Sequence, residues 1–257
     1  MLLTIDIGNS HSVIGIFDNG VLKRRWRVST DRRRSVDETY LLLDGLLRIA
    51  SFSVQDVDGL IISSVVPPVT PIFVDMGRVY LNLDPMVVGV GLKTGMPIVV
   101  ENPREVGADR IVNGVAAYRQ CETALIVVDL GTAITFDVVD AQGRYRGGAI
   151  APGLGLSLDA LFSQTAKLPR VDLVPPKKTI GRNTNESIQS GVFYGAVAMV
   201  DGMVERMKAE LGEDPLSVIA TGGYAEHVAD SSRTIQRVDQ DLTLHGLHYL
   251  YGLNTQP

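Results

Sequence analysis

The sequence predicts an α/β protein of two similar lobes, each a mixed sheet flanked by helices. Three observations carry this. Strand-length apolar runs open each half of the chain, and helical patterns close each half. An apolar strand ending in Asp-x-Gly occurs twice, at Asp6 and Asp129, 123 positions apart. The 257 residues, 45% hydrophobic and 21% charged, supply enough apolar material for one large domain or two small ones.

From the start, Leu2 to Asp6, Ser12 to Asp18 and Val21 to Val28 read as strands, the last two joined at Asn19-Gly20. Both turn residues accept positive φ, which makes Asn-Gly a strong hairpin signal. Ser35 with Glu38 three positions on is a capping box. Tyr40, Leu43, Leu46 and Leu47 follow at helical spacing, so a helix runs from about 36 to 50. Leu60 to Val66 is a buried strand closed by Pro67-Pro68, followed by a helix from about Pro71 to Leu81 and a strand around Met86 to Gly89. Asp109 to Gln120 has helical spacing. Ala124 to Asp129 is a buried strand that opens a second hairpin block reaching Ile150. Helices are expected over about 153–164, 185–210 and 241–252, with a strand at Ser217 to Ala220. Lys167 to Asn183 reads as a long irregular connection of the kind that is functional or mobile. The lobe boundary is expected near 118, giving lobes 1–118 and 119–257.

The charge balance, 24 basic against 29 acidic side chains, weighs against a nucleic-acid or anionic-membrane surface. The run Lys23, Arg24, Arg25, Arg27 with Arg32 to Arg34 reads as a solvated strand edge. A single cysteine, Cys121, can build neither an internal disulfide nor a multi-cysteine zinc site and fits a reducing cytoplasm. The apolar start is cut at Asp6, so neither an export leader nor a membrane span is expected.

The repeated strings are Leu3-Thr4-Ile5-Asp6-Ile7-Gly8-Asn9-Ser10 and Ile126-Val127-Val128-Asp129-Leu130-Gly131-Thr132-Ala133. One such turn alone is ordinary hairpin chemistry. Two copies at a half-chain offset suggest a duplicated lobe whose turns face each other across a cleft, each with a carboxylate, a glycine and a hydroxyl. Backbone N–H groups and hydroxyls there can cradle phosphate, while the aspartates would hold metal ions or ordered water between. Thr221-Gly222-Gly223 follows a strand and would let a nucleoside lie against backbone. No Walker pattern is present, and Gly89-Val90-Gly91 and Gly153-Leu154-Gly155 lack the third glycine of a dinucleotide fingerprint.

These two turns and the late Thr-Gly-Gly resemble the phosphate and adenosine motifs of the acetate and sugar kinase, Hsp70 and actin superfamily. Three strings narrow the likeness: Asp6-Ile7-Gly8-Asn9-Ser10; Asn102-Pro103-Arg104-Glu105-Val106-Gly107-Ala108-Asp109-Arg110; and Asp129-Leu130-Gly131-Thr132-Ala133 leading to Gly147-Gly148-Ala149-Ile150-Ala151-Pro152-Gly153. With Thr184, Ser187 and Gly191 they resemble the type III pantothenate kinases over essentially the whole chain. The resemblance implies two ribonuclease H-like lobes with an ATP cleft between them. It also implies ATP-dependent phosphorylation of pantothenate by a cytoplasmic homodimer that needs Mg2+ or a similar divalent cation and K+ or NH4+.

Carried over by position, Asp6, Ile7, Gly8, Asn9, Ser10, His11, Ser12 and Val13 would form the first phosphate-binding turn, with Asp6 holding the divalent cation through water. Thr132, Gly222 and Gly223 would contact ATP. Asp109 would be the general base; Val100, Gly107, Ala108, Asp109, Arg110 and Thr184 would contact substrate; and Asp129 would hold the monovalent cation. The family often has threonine at Ser10, a change that keeps the hydroxyl, and tyrosine at Val100, a change that does not.

Each assignment has a structural alternative. Asp109 also suits the first turn of any helix, and the helix start is expected to keep it ionised. Arg110 suits a bidentate carboxylate contact or an ion pair with Glu105 or Asp109. Asp129 suits a cation or capping of backbone N–H groups. The competing functions are a kinase for another small alcohol or sugar and a non-catalytic nucleotide-binding regulator. His227, His245 and His248 lack metal-ligand spacing.

Overall fold

In a computed structural model, which describes residues 1–255, the chain runs β1 (Leu2–Ile7), β2 (His11–Asp18), β3 (Val21–Ser29), α1 (Val36–Ile49), β4 (Gly59–Ser64), α2 (Thr70–Tyr80), β5 (Met86–Val87) and α3 (Ala108–Cys121). It continues as β6 (Ala124–Leu130), β7 (Ala133–Val139), β8 (Tyr145–Pro152), α4 (Leu154–Gln164), α5 (Thr184–Leu211), β9 (Leu216–Thr221), α6 (Ala225–Ala229), β10 (Arg237–Val238) and α7 (Leu242–Thr255). The strands and helices read from the sequence are present with ends displaced by a few residues, as fraying ends allow. The two-residue β10, the single-turn helices Val54–Asp56 and Pro103–Glu105, and a second long stretch of mostly irregular chain, 88–107, were not expected.

The described elements form two compact units: residues 1–95, 102–116 and 242–255, and residues 96–101 and 117–241. Each holds a five-stranded sheet, ordered β3-β2-β1-β4-β5 in one and β8-β7-β6-β9-β10 in the other. In both, the first three strands form an antiparallel meander and the last two run parallel to the central strand. The sequence repeat is thus a repeat of topology. β1 corresponds to β6, and Asp6 and Asp129 occupy equivalent places near their strand ends.

In the first unit the Asn19-Gly20 turn has φ of 49° and 78°, as a two-residue hairpin demands. Ser35 caps α1 with Glu38 in a reciprocal box, and Thr39, Leu43 and Leu47 bury one face of that helix. Those residues close on Leu3, Ile5 and Ile7 of β1 and Leu60 and Ile62 of β4. The opposite sheet face is covered by α7: a Cβ on Gly15 would lie 2.9 Å from Leu244 Cδ1, and one on Gly246 would lie 2.6 Å from Val112 Cγ1 of α3. His248 stacks on Phe17 at 4.6 Å, a packing role. Lys23, Arg24, Arg25 and Arg27 lie exposed on β3, the sheet's edge strand, and Arg32 to Arg34 lie on the loop that follows it.

In the second unit Phe193, Val197, Val200 and Val204 of α5 pack on Ile126, Val128 and Phe136. Asn183 caps α5 and Gly212, at φ 67°, ends it. The 167–183 connection is tied to α5: Gln189 donates to Asp172 O at 2.8 Å, Tyr194 donates to Pro176 O at 2.9 Å, and Ser190 donates to Thr179 O. Among the described residues no helix is long and apolar enough to cross a membrane.

Candidate active site

The first turn closes where Gly8 N–H donates to His11 O at 3.1 Å. Thr30 at the end of β3 fastens it: its hydroxyl donates to Gly8 O at 2.7 Å and lies 2.9 Å from Ser12 Oγ. Asn9, Ser10 and His11 are exposed, whereas Ile7 and Ser12 are buried. Ile7 is therefore part of the core and can offer a ligand only its backbone. His11 Nδ1 lies 2.9 Å from an Arg27 nitrogen. Burial and then the Arg27 charge hold the imidazole below its ordinary pKa, so at neutral pH it is an uncharged group beside a cation. Thr30 carried no sequence signal, since a hydroxyl at a strand end is common.

The second component of this unit is the start of α3. Ile111 N–H donates to Gly107 O at 3.2 Å, and Asp109 Oδ1 accepts from Arg110 N–H at 2.8 Å. A Cβ on Gly107 would lie 2.6 Å from Asp109 Oδ1, so glycine there lets the carboxylate fold back over the helix start. The same Cβ would lie 3.6 Å from Val65 Cγ1, and Val65 N–H donates to Ile7 O at 3.1 Å. Gly107, Ala108, Asp109 and Arg110 thus sit over the end of β1 and β4 at which the Asp6 turn begins. Burial pushes the Asp109 carboxyl above the ordinary range, and the Arg110 N–H and charge only partly oppose it. This corrects the expectation that a helix start alone would set its ionisation; desolvation outweighs it.

The second unit builds its own cluster. Gly131 N–H donates to Ala133 O at 3.0 Å, and Gly153 N–H donates to Thr132 O at 3.2 Å. Gly153 must be glycine, because a Cβ would lie 2.3 Å from Thr132 O. Over the same strand end arches Gly222, at φ 95°, whose Cβ would lie 2.5 Å from Asp129 Oδ1 and 2.6 Å from the Leu130 carbonyl carbon. Gly223, next to it, is exposed. Asp129, Thr132 and Gly222 are therefore brought together at the end of β6.

Beside Gly153 a groove of about 760 Å³ runs between α4 and α5, lined by Pro152, Leu154, Leu161, Thr184, Ile188 and Val192. Thr184 opens α5 at one edge of it. Val100 lies on a segment that pairs with β8: Val99 N–H donates to Tyr145 O at 2.8 Å, and Tyr145 N–H donates to Pro97 O at 2.9 Å. Its Cγ1 lies 3.6 Å from where a Gly147 Cβ would be.

Among the described residues no group of three or more His, Cys, Asp or Glu side chains could hold a metal ion. Mg2+ taken with its phosphates needs only one or two carboxylates and keeps much of its water. Asp6, half-buried beside a turn with exposed backbone, fits such a role. Asp129 offers a hard oxygen donor of the kind a cation takes, and Gly131 and Gly222 lie close against its Oδ1.

A family model described as type III pantothenate kinase matches residues 2–206. The chain is 53% identical over 254 residues to a type III pantothenate kinase of Syntrophotalea carbinolica, covering 99% of both chains. It is 52% identical over 256 residues to one of Geobacter sulfurreducens, covering all of both. Among solved structures, an inorganic polyphosphate/ATP-glucomannokinase from Arthrobacter aligns with a TM-score of 0.51 at 13% identity over 98% of each chain, a likeness of fold alone.

Proposed function

The chain belongs to the type III pantothenate kinase family, and from that premise we infer that it transfers the γ-phosphoryl group of ATP to pantothenate, giving 4′-phosphopantothenate for coenzyme A biosynthesis. The observation that carries the reading is Asp109: a half-buried carboxylate, its pKa raised by desolvation, at a helix start over the strand ends where the Asp6 turn begins.

Phosphoryl transfer asks a protein for alignment and charge neutralisation more than for covalent chemistry. Asp109 accepts the proton of the pantothenate hydroxyl as its oxygen bonds to the γ-phosphorus and the bond to ADP breaks. Its raised pKa makes it a better base than an ordinary surface aspartate. As substrate contacts we assign Arg110, through the carboxylate of pantothenate, with Gly107 and Ala108 beside it in the first unit, and Thr184 and Val100 in the second. The backbone and hydroxyls from Gly8 to Val13 hold phosphate oxygens, with Thr132, Gly222 and Gly223 as further ATP contacts. Asp6 would hold a divalent cation such as Mg2+ through water, supplying charge neutralisation at the phosphates, and Asp129 would hold K+ or NH4+.

A homodimer belongs to the same proposal. In the second unit Ile150 of β8, Leu156 and Phe162 of α4, and Ile180 just before α5 are exposed apolar side chains that a second copy would cover. A cytoplasmic setting is supported by a chain whose lone thiol, Cys121, forms no internal bridge.

The test is ATP consumption by the purified protein with Mg2+ and pantothenate, run in potassium and in sodium. Potassium-dependent turnover supports both the substrate and the cation site. ATP binding without turnover in either salt overturns the pantothenate reading in favour of another alcohol or a regulator.

A further inference from the structure

Among the described residues one buried side-chain polar atom has no hydrogen-bond partner, the hydroxyl of Ser63. Ser63 is fully buried on β4. Other buried hydroxyls are engaged: Thr4 donates to Gly15 O, Ser12 meets Thr30, and Thr39 donates to Ser35 O. The adjacent Ser64 accepts from Thr70 at 2.7 Å. A hydroxyl shut away from water without a partner forfeits its solvent hydrogen bonds and recovers nothing, so such a group calls for an explanation.

Strand register supplies one. β1 and β4 are parallel neighbours, and Ser63 stands directly beside Asp6. Leu60 and Ile62 face the same core as Leu3, Ile5 and Ile7. By alternation Ser63 and Asp6 project from the other face, the side on which α7 and α3 pack. Adjacent strands are about 4.8 Å apart, a gap that a serine hydroxyl and an aspartate carboxylate span with one hydrogen bond.

We propose that Ser63 is a positioning residue for Asp6: in the Mg-ATP-loaded protein its hydroxyl donates to one carboxylate oxygen of Asp6 and turns the other toward the metal's water. This rests on the role given to Asp6 above. The serine touches neither nucleotide nor substrate, and its cost in the free protein is the orphaned hydroxyl itself.

The test titrates ATP calorimetrically, without pantothenate, into the wild type, Ser63→Ala and Ser63→Thr, once with Mg2+ and once with EDTA, and compares urea denaturation of the three free proteins. Ser63→Ala should weaken Mg-ATP binding about tenfold or more, the scale of a hydrogen bond to an ionised group. Binding of metal-free ATP should be unchanged, and the free protein should be as stable as the wild type or more so, since the deleted hydroxyl has no partner to lose. Ser63→Thr, which keeps the hydroxyl, should bind Mg-ATP within about threefold of the wild type on the same argument. The proposal is overturned by unchanged Mg-ATP binding in Ser63→Ala, by an equal loss in EDTA, by equal losses in the alanine and threonine variants, or by a less stable Ser63→Ala free protein. No pantothenate enters these titrations, so failure of the kinase reading would show separately, as absent turnover in a protein that binds Mg-ATP.

Discussion

The phenol of Tyr145 donates a 2.7 Å hydrogen bond to Asp137 Oδ1, and neither residue is reached by solvent. Asp137 Oδ2 also accepts from Thr135 at 3.1 Å. A buried carboxylate is tolerated only when such donors replace its water.

Tyr145→Phe removes the shorter of these two bonds and changes little volume. It should destabilise the protein by about 1–3 kcal/mol, the cost of leaving a buried polar group without its partner. Urea denaturation of the two proteins checks this, and an unchanged midpoint would show that the carboxylate is satisfied without the phenol.

Asp201 gives a pH-dependent counterpart. Burial pushes its carboxyl up, but hydrogen bonds from the Ser232 hydroxyl at 2.6 Å, the Arg233 N–H at 3.1 Å and the Thr234 hydroxyl at 2.9 Å outweigh it and leave the group below the ordinary range. A depressed folded pKa means that the unfolded chain takes up the proton first. The stability Asp201 contributes is therefore complete above the unfolded value of about 3.9 and is lost as pH falls through the folded value. Asp201→Asn should be less stable at pH 7 and should lose less on acidification below about pH 4. Denaturation free energies measured from pH 7 to pH 3 decide it; parallel curves for the two proteins would refute the assignment.

Much of this fold was legible because its signals are local. Asn19-Gly20 dictates a hairpin, Ser35 and Glu38 a helix start, and the Asp-x-Gly strings mark both strand ends from which the clusters are built. What could not be read is what depends on partners distant in sequence. Two-residue β10 exists only through its pairing with β9. The segment around Val100 is ordered by Tyr145. Ser63 and Ser64 are the same residue type, yet only register reveals that one stands beside Asp6 while the other bonds Thr70. The raised pKa of Asp109 depends on desolvation by a tertiary environment that its local string does not contain.

Gly222 limits how the Asp129 carboxylate is placed. Its φ of 95° disfavours any side chain, and a Cβ would lie 2.5 Å from Asp129 Oδ1. Gly222→Ala should raise the potassium concentration for half-maximal turnover by roughly tenfold, given the strain and the displaced oxygen. Asp129→Ala should abolish potassium stimulation. Turnover titrated with KCl against NaCl tests both, and a potassium response retained by Asp129→Ala would move the cation elsewhere.

Asp109 carries the sharpest expectation because its pKa shift acts on rate and stability in opposite directions. As the base it works ionised, so kcat/KM should fall as pH drops through its raised pKa, in a window above that of an ordinary aspartate near 3.9. Asp109→Asn should lower kcat by about a hundredfold or more and erase that acidic limb while leaving ATP binding nearly intact. In the stability account the folded state holds this proton more tightly than the unfolded chain. Stability therefore falls as pH rises from the unfolded to the folded pKa, and at neutral pH the ionised group opposes folding. The neutral asparagine relieves that cost, so the variant should unfold at a higher urea concentration than the wild type at pH 7. A variant that is slower and less stable would instead mark Asp109 as a packing residue whose loss disturbs the site.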